Sequence, residues 1–428
     1  MRLYYSGGGG GLTSVPEALI AERKPHVMLT FYNISSNACL DRLNAYLERA
    51  YQGDIIKRKN KETELPSTKV NHPIHSASVF MDSGAFSLYG LHIIGETKEK
   101  MGKHGRPLDR VLRKRWGVGD YSYFTLDAGS EFRKYCDRYA KLMRRLQHTD
   151  VLFTTVDVIQ NPQASWNVQQ YFIKEHGLRP IPVIHSATPH GARWLAKYIE
   201  SGHKMVGFGG LGQSVRKETY QSWANEMWRL ACPASNGYKP IVKVHGFAMT
   251  SWDFMVAWPW WSVDSASWAK AAAYGWLYVP PWKKGIGFRH DVAPWLVNMS
   301  RKPSEKKNRF WWSVKSNHPR DVKNAHIDNI PQAGKEAVER WLDHLKIPLG
   351  AFEGKMMQEE GFGKHQTMDP NDFEVTEVGA TSDYCTRAKA NLLYFADFQS
   401  SVPAWPIRLS EEIVQERQKI QYRHGLGL

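Results

Sequence analysis

Short runs of apolar, β-branched and aromatic residues recur along the first 265 positions, and stretches with helical spacing fall between most of them. The runs read as strands at 2–6 (RLYYS), 26–33 (HVMLTFYN), 78–82 (SVFMD), 151–158 (VLFTTVDV), 179–185 (RPIPVIH), 204–210 (KMVGFGG), 240–248 (PIVKVHGFA) and 260–264 (WWSVD). Helices are predicted over 127–148, 162–177, 190–201, 215–231 and 251–257, the first from Phe132, Tyr135, Tyr139, Leu142 and Leu146. Strands alternating with helices predict an α/β fold with a parallel sheet. Eight of them predict a (β/α)8 TIM-type barrel with insertions over residues 1–280. An open doubly wound sheet is the alternative, but no GxGxxG follows the first strand. The glycine run at 6–11 (SGGGGG) lacks the Gly-Lys-Ser/Thr of a phosphate loop. Beyond 280 the alternation fades. Residues 281–428 read as a C-terminal extension packed on the barrel, ending in a helix from about Ser410 to His424.

Composition narrows the class. Of 428 residues, 42% are apolar and 23% charged, the balance of a folded soluble chain. No apolar run is long enough to span a bilayer, and the start has no signal-peptide core, so a cytoplasmic protein without membrane contact is expected. The formal net charge of +15 points to a polyanionic partner, most often nucleic acid. Eight Lys or Arg between positions 98 and 115, among them Lys103, Arg106, Arg110, Arg113, Lys114 and Arg115, face only two acids. That segment is the expected phosphate-contacting stretch, with lesser basic runs at 57–61 and 301–309. The four cysteines form no CxxC pair, which argues against a disulfide framework or a zinc ribbon, and Cys136 reads as core. Seventeen Trp suit base stacking, but most are expected to be packing residues.

In a barrel, reactive groups sit where strands end. Those positions hold Asp82-Ser83-Gly84, Asp157, His185, Gly209-Gly210-Leu211, His245 and Asp264. Two reaction classes suit such a set. Metal-dependent hydrolysis would use His185, His245 and Asp264 as ligands or base, but it also needs an HxH pair on the first strand, which has no His. Glycosyl transfer would use one Asp as nucleophile and another as acid/base, while a third accepts hydrogen bonds from a purine edge. A catalytically inert nucleic-acid-binding barrel is a third possibility.

The segments DSGAF (82–86), VDVIQNP (156–162), GGLG (209–212) and SVDS (262–265) resemble, in order, the tRNA-guanine transglycosylase superfamily. The likeness is greatest to its phage branch, the DpdA-type proteins that place 7-deazaguanines in DNA and so shield phage DNA from restriction. The resemblance implies a barrel and base exchange with retention at the sugar. Carried over by position, Asp264 is the nucleophile and Asp82 the general acid/base. Ser83, Asp157, His185, Gly210 and Leu211 surround the base, with His185 where the tRNA enzymes carry Gln. The departures matter as well. The CxCxxC zinc cluster of the tRNA enzymes is missing, so neither structural zinc nor any other cofactor is expected. Val215 stands about where they place a Glu beside an aminomethyl group, which favours the uncharged nitrile base preQ0. A tRNA substrate is the alternative within the same family.

Overall fold

The computed structural model describes residues 1–6, 26–33, 79–89, 92, 121–146, 151–186, 188, 190–210, 217–300, 326–327, 330–358 and 366–414. Eight parallel strands form one sheet: β1 (Arg2–Tyr5), β2 (His26–Thr30), β3 (Val79–Asp82), β4 (Leu152–Phe153), β5 (Val183–His185), β6 (Met205–Gly209), β7 (Lys243–Gly246) and β8 (Ser262–Ser265). Their order is β4-β3-β2-β1-β8-β7-β6-β5. All eight expected strands are present.

Two of them are shorter than their apolar patterns suggest. The run at 151–158 pairs as a strand only over β4, because the next residues are claimed locally. Val158 N donates to Ser165 Oγ (2.9 Å), and the Thr155 hydroxyl bonds Gln169. The run at 179–185 forms a continuous strand only from Val183, with Ile181 before it making an isolated bridge, since Pro180 and Pro182 have no N–H to give a ladder.

The helices supply the outer layer. They are α1 (Ala85–Tyr89), α2 (Glu131–Leu146), α3 (Pro162–His176), α4 (Gly191–Glu200), α5 (Lys217–Ala231), α6 (Trp252–Ala257) and α7 (Ser267–Ala273). α3 shows how sequence sets such ends: Asn161 accepts from Ala164 N, Pro162 stands at the first turn, and Gly177 ends the helix in the left-handed region. On α2, Phe132, Tyr135, Tyr139, Leu142 and Leu146 are all buried, as is Cys136.

Side chains alternate across the strands as period-two geometry demands. Leu3 and Tyr5 join one helix-facing core, and Val79 and Met81 join another. Tyr4, Met28, Phe80, Ile181, Met205 and Trp261 form a third, inner cluster. The Phe80 ring on β3 stacks on His245 of β7, 4.2 Å between centroids, although those strands stand four places apart, roughly 19 Å if the sheet were flat. That contact requires a strongly curled sheet. No ladder joins the end strands β4 and β5. A single bridge, Thr154 to Ile181, lies between them, with Thr155 N donating to Ile181 O and Ile181 N to Phe153 O, both at 2.8 Å. The described architecture is an eight-stranded parallel sheet curled toward a TIM-like barrel and flanked by helices.

The C-terminal residues add β9 (Trp276–Val279), β10 (Trp282–Lys283), β11 (Gly287–Phe288), β12 (Trp295–Asn298), α8 (Gln332–His344), β13 (Ala351–Gln358), β14 (Gln366–Glu377) and α9 (Tyr384–Ser401). α9 packs directly on the sheet's outer layer. Gln399 Oε1 accepts from Leu3 N (2.7 Å), Arg387 Nε donates to Ala272 O (2.9 Å), and Asn391 Nδ2 reaches the Trp268 and Trp276 carbonyls (both 3.1 Å). Of the final helix expected at 410–424, residues 411–414 are helical and the rest lie outside the described residues. No helix among the described residues is long and apolar enough to cross a membrane.

Candidate active site

Parallel strands deliver their C-terminal ends to one rim. Asp82 is the last residue of β3, His185 of β5, Gly209 of β6 and Gly246 of β7, while Asp264 is next to last in β8. Asp157 follows β4 and is buried. Asp82, Asp157 and Asp264 face one another closely enough to interact electrostatically.

Asp82 is the most perturbed of the three. Burial, reinforced by the charges of Asp157 and Asp264, raises its carboxyl to about 7. The Gly84 amide (3.3 Å to Oδ2) and the Thr30 side chain pull weakly the other way. The backbone around it is clamped. Tyr139 and Tyr135 on α2 donate to Met81 O (3.0 Å) and Ser83 O (2.5 Å), and Ser83 N donates to Thr154 Oγ1 (2.9 Å). Burial and the nearby Asp82 raise both tyrosine hydroxyls, so they remain donors. The small residues after Asp82 have a packing reason. Gly84 has φ +82°, and a Cβ there would stand 2.6 Å from Tyr32 Cβ. Ser83 is buried, its hydroxyl accepting from Ala85 N (3.3 Å). Phe86, which the sequence suggests as a pocket wall or a core residue, is 57% exposed.

Asp264 is held differently. Its Oδ1 accepts from Ala248 N (3.0 Å) and lies 3.3 Å from His245 Nε2. His245 is fully buried, and its Nδ1 is 2.7 Å from Ser262 Oγ. Ser262 and Asp264 share a strand face by period-two spacing, and Ser262 is the register partner of His245 on β7. The imidazole stacks on Phe80 (4.2 Å between centroids) and meets Tyr4 and Phe247 edge-on. Burial in this aromatic box lowers its proton affinity despite Asp264, which keeps the ring neutral at pH 7. Nδ1 is hydrogen-bonded to Ser262 Oγ, whereas Nε2 lies close to Asp264 Oδ1 without forming a hydrogen bond to it. The result is a buried polar row, Ser262–His245–Asp264, hydrogen-bonded at its Ser262 end.

His185 pairs with Asp157, Nε2 to Oδ2 at 2.7 Å. Gly209 makes room for the ring, since a Cβ there would come within 2.8 Å of His185 Nδ1. Gly210, at φ +119°, packs against Ser186. His185 Nδ1 and Ser186 Oγ are buried without a hydrogen-bond partner, two polar groups at the rim that a bound molecule can satisfy. Among the described residues, no three His, Cys, Asp or Glu side chains cluster in a way that would hold a metal ion. The two histidines of the hydrolase alternative are instead engaged by Asp157 and by Ser262 and Asp264.

Asp82, Ser83, Asp157, His185, Gly210 and Asp264 therefore share one rim. Leu211, Val215 and the basic residues Lys103, Arg106, Arg110, Arg113, Lys114 and Arg115 lie outside the described residues. The WPWW stretch at 258–261 is core: Trp258, Trp260 and Trp261 are all buried. Sequence reasoning missed the clamps from Tyr135, Tyr139 and Thr154, and it gave His245 a role only in the hydrolase alternative, as ligand or base, without its tie to Ser262. Ser262, two before Asp264 and so on the same strand face, was the available signal for that tie. No protein-family model matches this chain, and no curated protein sequence matches it.

Proposed function

We propose that this protein is a DNA guanine transglycosylase, a pentosyltransferase that exchanges guanine in DNA for a 7-deazaguanine, preQ0 in the first instance, without a metal or redox cofactor. The reading takes the curled sheet as the staves of a closed (β/α)8 barrel. One observation carries it. Two carboxylates on one rim are set up for opposite tasks: Asp82 keeps its proton to about neutrality, while Asp264 is anchored by a backbone amide and lies beside an imidazole. Environments that divide two carboxyl groups in this way define an acid and a nucleophile.

In the first step an Asp264 carboxylate oxygen attacks C1′ of the deoxyribose. The C1′–N9 bond breaks, and the departing guanine takes the Asp82 proton. In the second, the Asp82 carboxylate removes the N9 proton of the incoming 7-deazaguanine. That N9 then attacks C1′ and releases Asp264. Two inversions leave the sugar configuration retained, and no net charge or proton is consumed. Asp157, fixed by His185, accepts from the N1–H and 2-amino groups of the purine, a charge-assisted pair that selects guanine-type edges. A target in a duplex has to be extruded to reach this rim.

The test is direct. The purified protein is incubated with plasmid DNA and preQ0, the DNA is digested to nucleosides, and the 7-deaza nucleoside is sought by mass spectrometry, with tRNA in parallel. Modified DNA with unmodified tRNA supports the reading. Modified tRNA alone moves the protein to the RNA branch, and no product from either substrate rejects base exchange.

This row gives a second measurable consequence. His245→Phe keeps a ring stacked on Phe80 but removes the ring nitrogen that lies 3.3 Å from Asp264 Oδ1. Formation of the covalent adduct is expected to slow by roughly tenfold to a hundredfold, with KM for preQ0 nearly unchanged, because the lost polar neighbour lies beside the nucleophile and touches neither base. Equal losses in both parameters would reject that role.

A further inference from the structure

The described residues expose twelve large hydrophobic side chains, and four of them, Trp282, Ile286, Trp295 and Leu296, fall within fifteen residues. This is the β10–β11 hairpin with the start of β12. Register places Trp295 opposite Val279, three residues before Trp282, so the start of β12 lies beside the strand that leads into the hairpin. Lys283 and Lys284 are exposed on the hairpin; Arg289 is paired with Asp291 (2.5 Å), the one acid within 282–296, so the two lysines carry the net positive charge of this stretch. Arg340 of α8 stacks on Trp282 at 3.9 Å. Gly285 and Gly287, at φ +82° and +93°, make the tight turn that leaves Ile286 64% exposed at the tip.

The hairpin is tied to the catalytic rim. Its base is closed by Arg289 N donating to Pro281 O (2.7 Å), and the next carbonyl, His290 O, accepts from Trp252 Nε1 (3.3 Å). Trp252 ends the loop after β7, and Ala248 of that loop donates to Asp264 Oδ1. One short segment thus touches the proposed nucleophile at one end and the hairpin base at the other.

We propose that the 282–296 surface is a DNA-contacting wedge. Lys283 and Lys284 engage backbone phosphates, and Ile286 inserts at a base step beside the extruded guanine. Charge complementarity selects a polyanion, and an apolar tip between cations is the chemistry that unstacks a duplex step. Two exposed lysines beside the apolar tip favour a polyanion over an uncharged protein surface. This inference rests on DNA being the substrate, as proposed above.

The experiment measures binding of full-length protein to fluorescein-labelled duplex and single-stranded DNA by anisotropy across a salt series, together with preQ0 incorporation into each. Lys283→Ala with Lys284→Ala is expected to weaken duplex binding about tenfold near 100 mM salt and to reduce the log–log salt slope by about 2. Ile286→Ser is expected to lower the ratio of duplex to single-strand incorporation at least tenfold. An unchanged slope and affinity in the double variant, or an unchanged ratio in Ile286→Ser, overturns the wedge even if the wild type modifies DNA. Loss of tRNA binding without loss of DNA binding also overturns it. Wild-type DNA binding that depends on the two lysines, without incorporation, keeps the surface and rejects the transglycosylase reading.

Discussion

Asp264→Asn is expected to abolish the denaturant-resistant adduct between protein and DNA and to reduce base exchange by at least about 10⁴-fold, while salt-sensitive DNA binding stays within about threefold of wild type. The size of the effect follows from the chemistry. An amide cannot form the ester to C1′, and no second carboxylate takes Asp264's place on the amide of Ala248. The substitution is nearly isosteric, and Asn can still accept from Ala248 N through its side-chain oxygen. The fold should therefore survive, with a melting temperature close to that of wild type. SDS gels of protein trapped on labelled DNA read the adduct, and nucleoside mass spectrometry reads the exchange. A stable adduct in Asp264→Asn would move the nucleophile elsewhere, with Asp82 and Asp157 the other carboxylates placed on this rim among the described residues.

Asp82→Asn is expected to lose exchange activity and gain stability, the second effect depending on pH. In the unfolded chain an Asp ionises near 3.9, whereas in the fold Asp82 holds its proton to about 7. The folded state therefore binds the extra proton, and its advantage is complete below about pH 4. The advantage shrinks as pH rises toward 7, and above that the whole cost of a buried charge beside two other carboxylates is in force. Asn carries no such cost. The variant should match wild type near pH 4 and exceed it by on the order of 4 kcal/mol at pH 8, as read from urea midpoints across the range. Its activity should fall by at least about a hundredfold, because the leaving base loses its proton donor. In wild type, adduct formation should decline above pH 7 as Asp82 ionises. A variant no more stable at pH 8 than at pH 5, relative to wild type, would show that Asp82 is not a strained acid. A site that is costly to the fold at working pH is what function, and not packing, would maintain.

Much of this was legible beforehand because it depends on local rules. Period-two and helical spacings located all eight strands and the main helices, since apolar faces must be buried wherever the chain goes. Parallel strands necessarily bring their ends to one rim, so Asp82, Asp157, His185 and Asp264 could be grouped from sequence order alone. The reading failed where a side chain's partner is remote. Nothing in the segment DSGAF says why Gly84 is small; Tyr32 and Tyr135 press against it from segments far away in the chain. His245 resembled a metal ligand until register set it against Ser262. The lysines at 283 and 284 were unremarked because only a folded hairpin turns them outward together with Ile286.

Sequence by itself determined the class of fold, the rim and the carboxylates on it, because hydrophobic periodicity and strand direction are properties of the chain. Only the tertiary structure decided how those carboxylates differ. Protonation depends on burial and on which charges and donors lie within a few ångströms, and those neighbours come from β2, β4, β7 and β8 as the sheet curls.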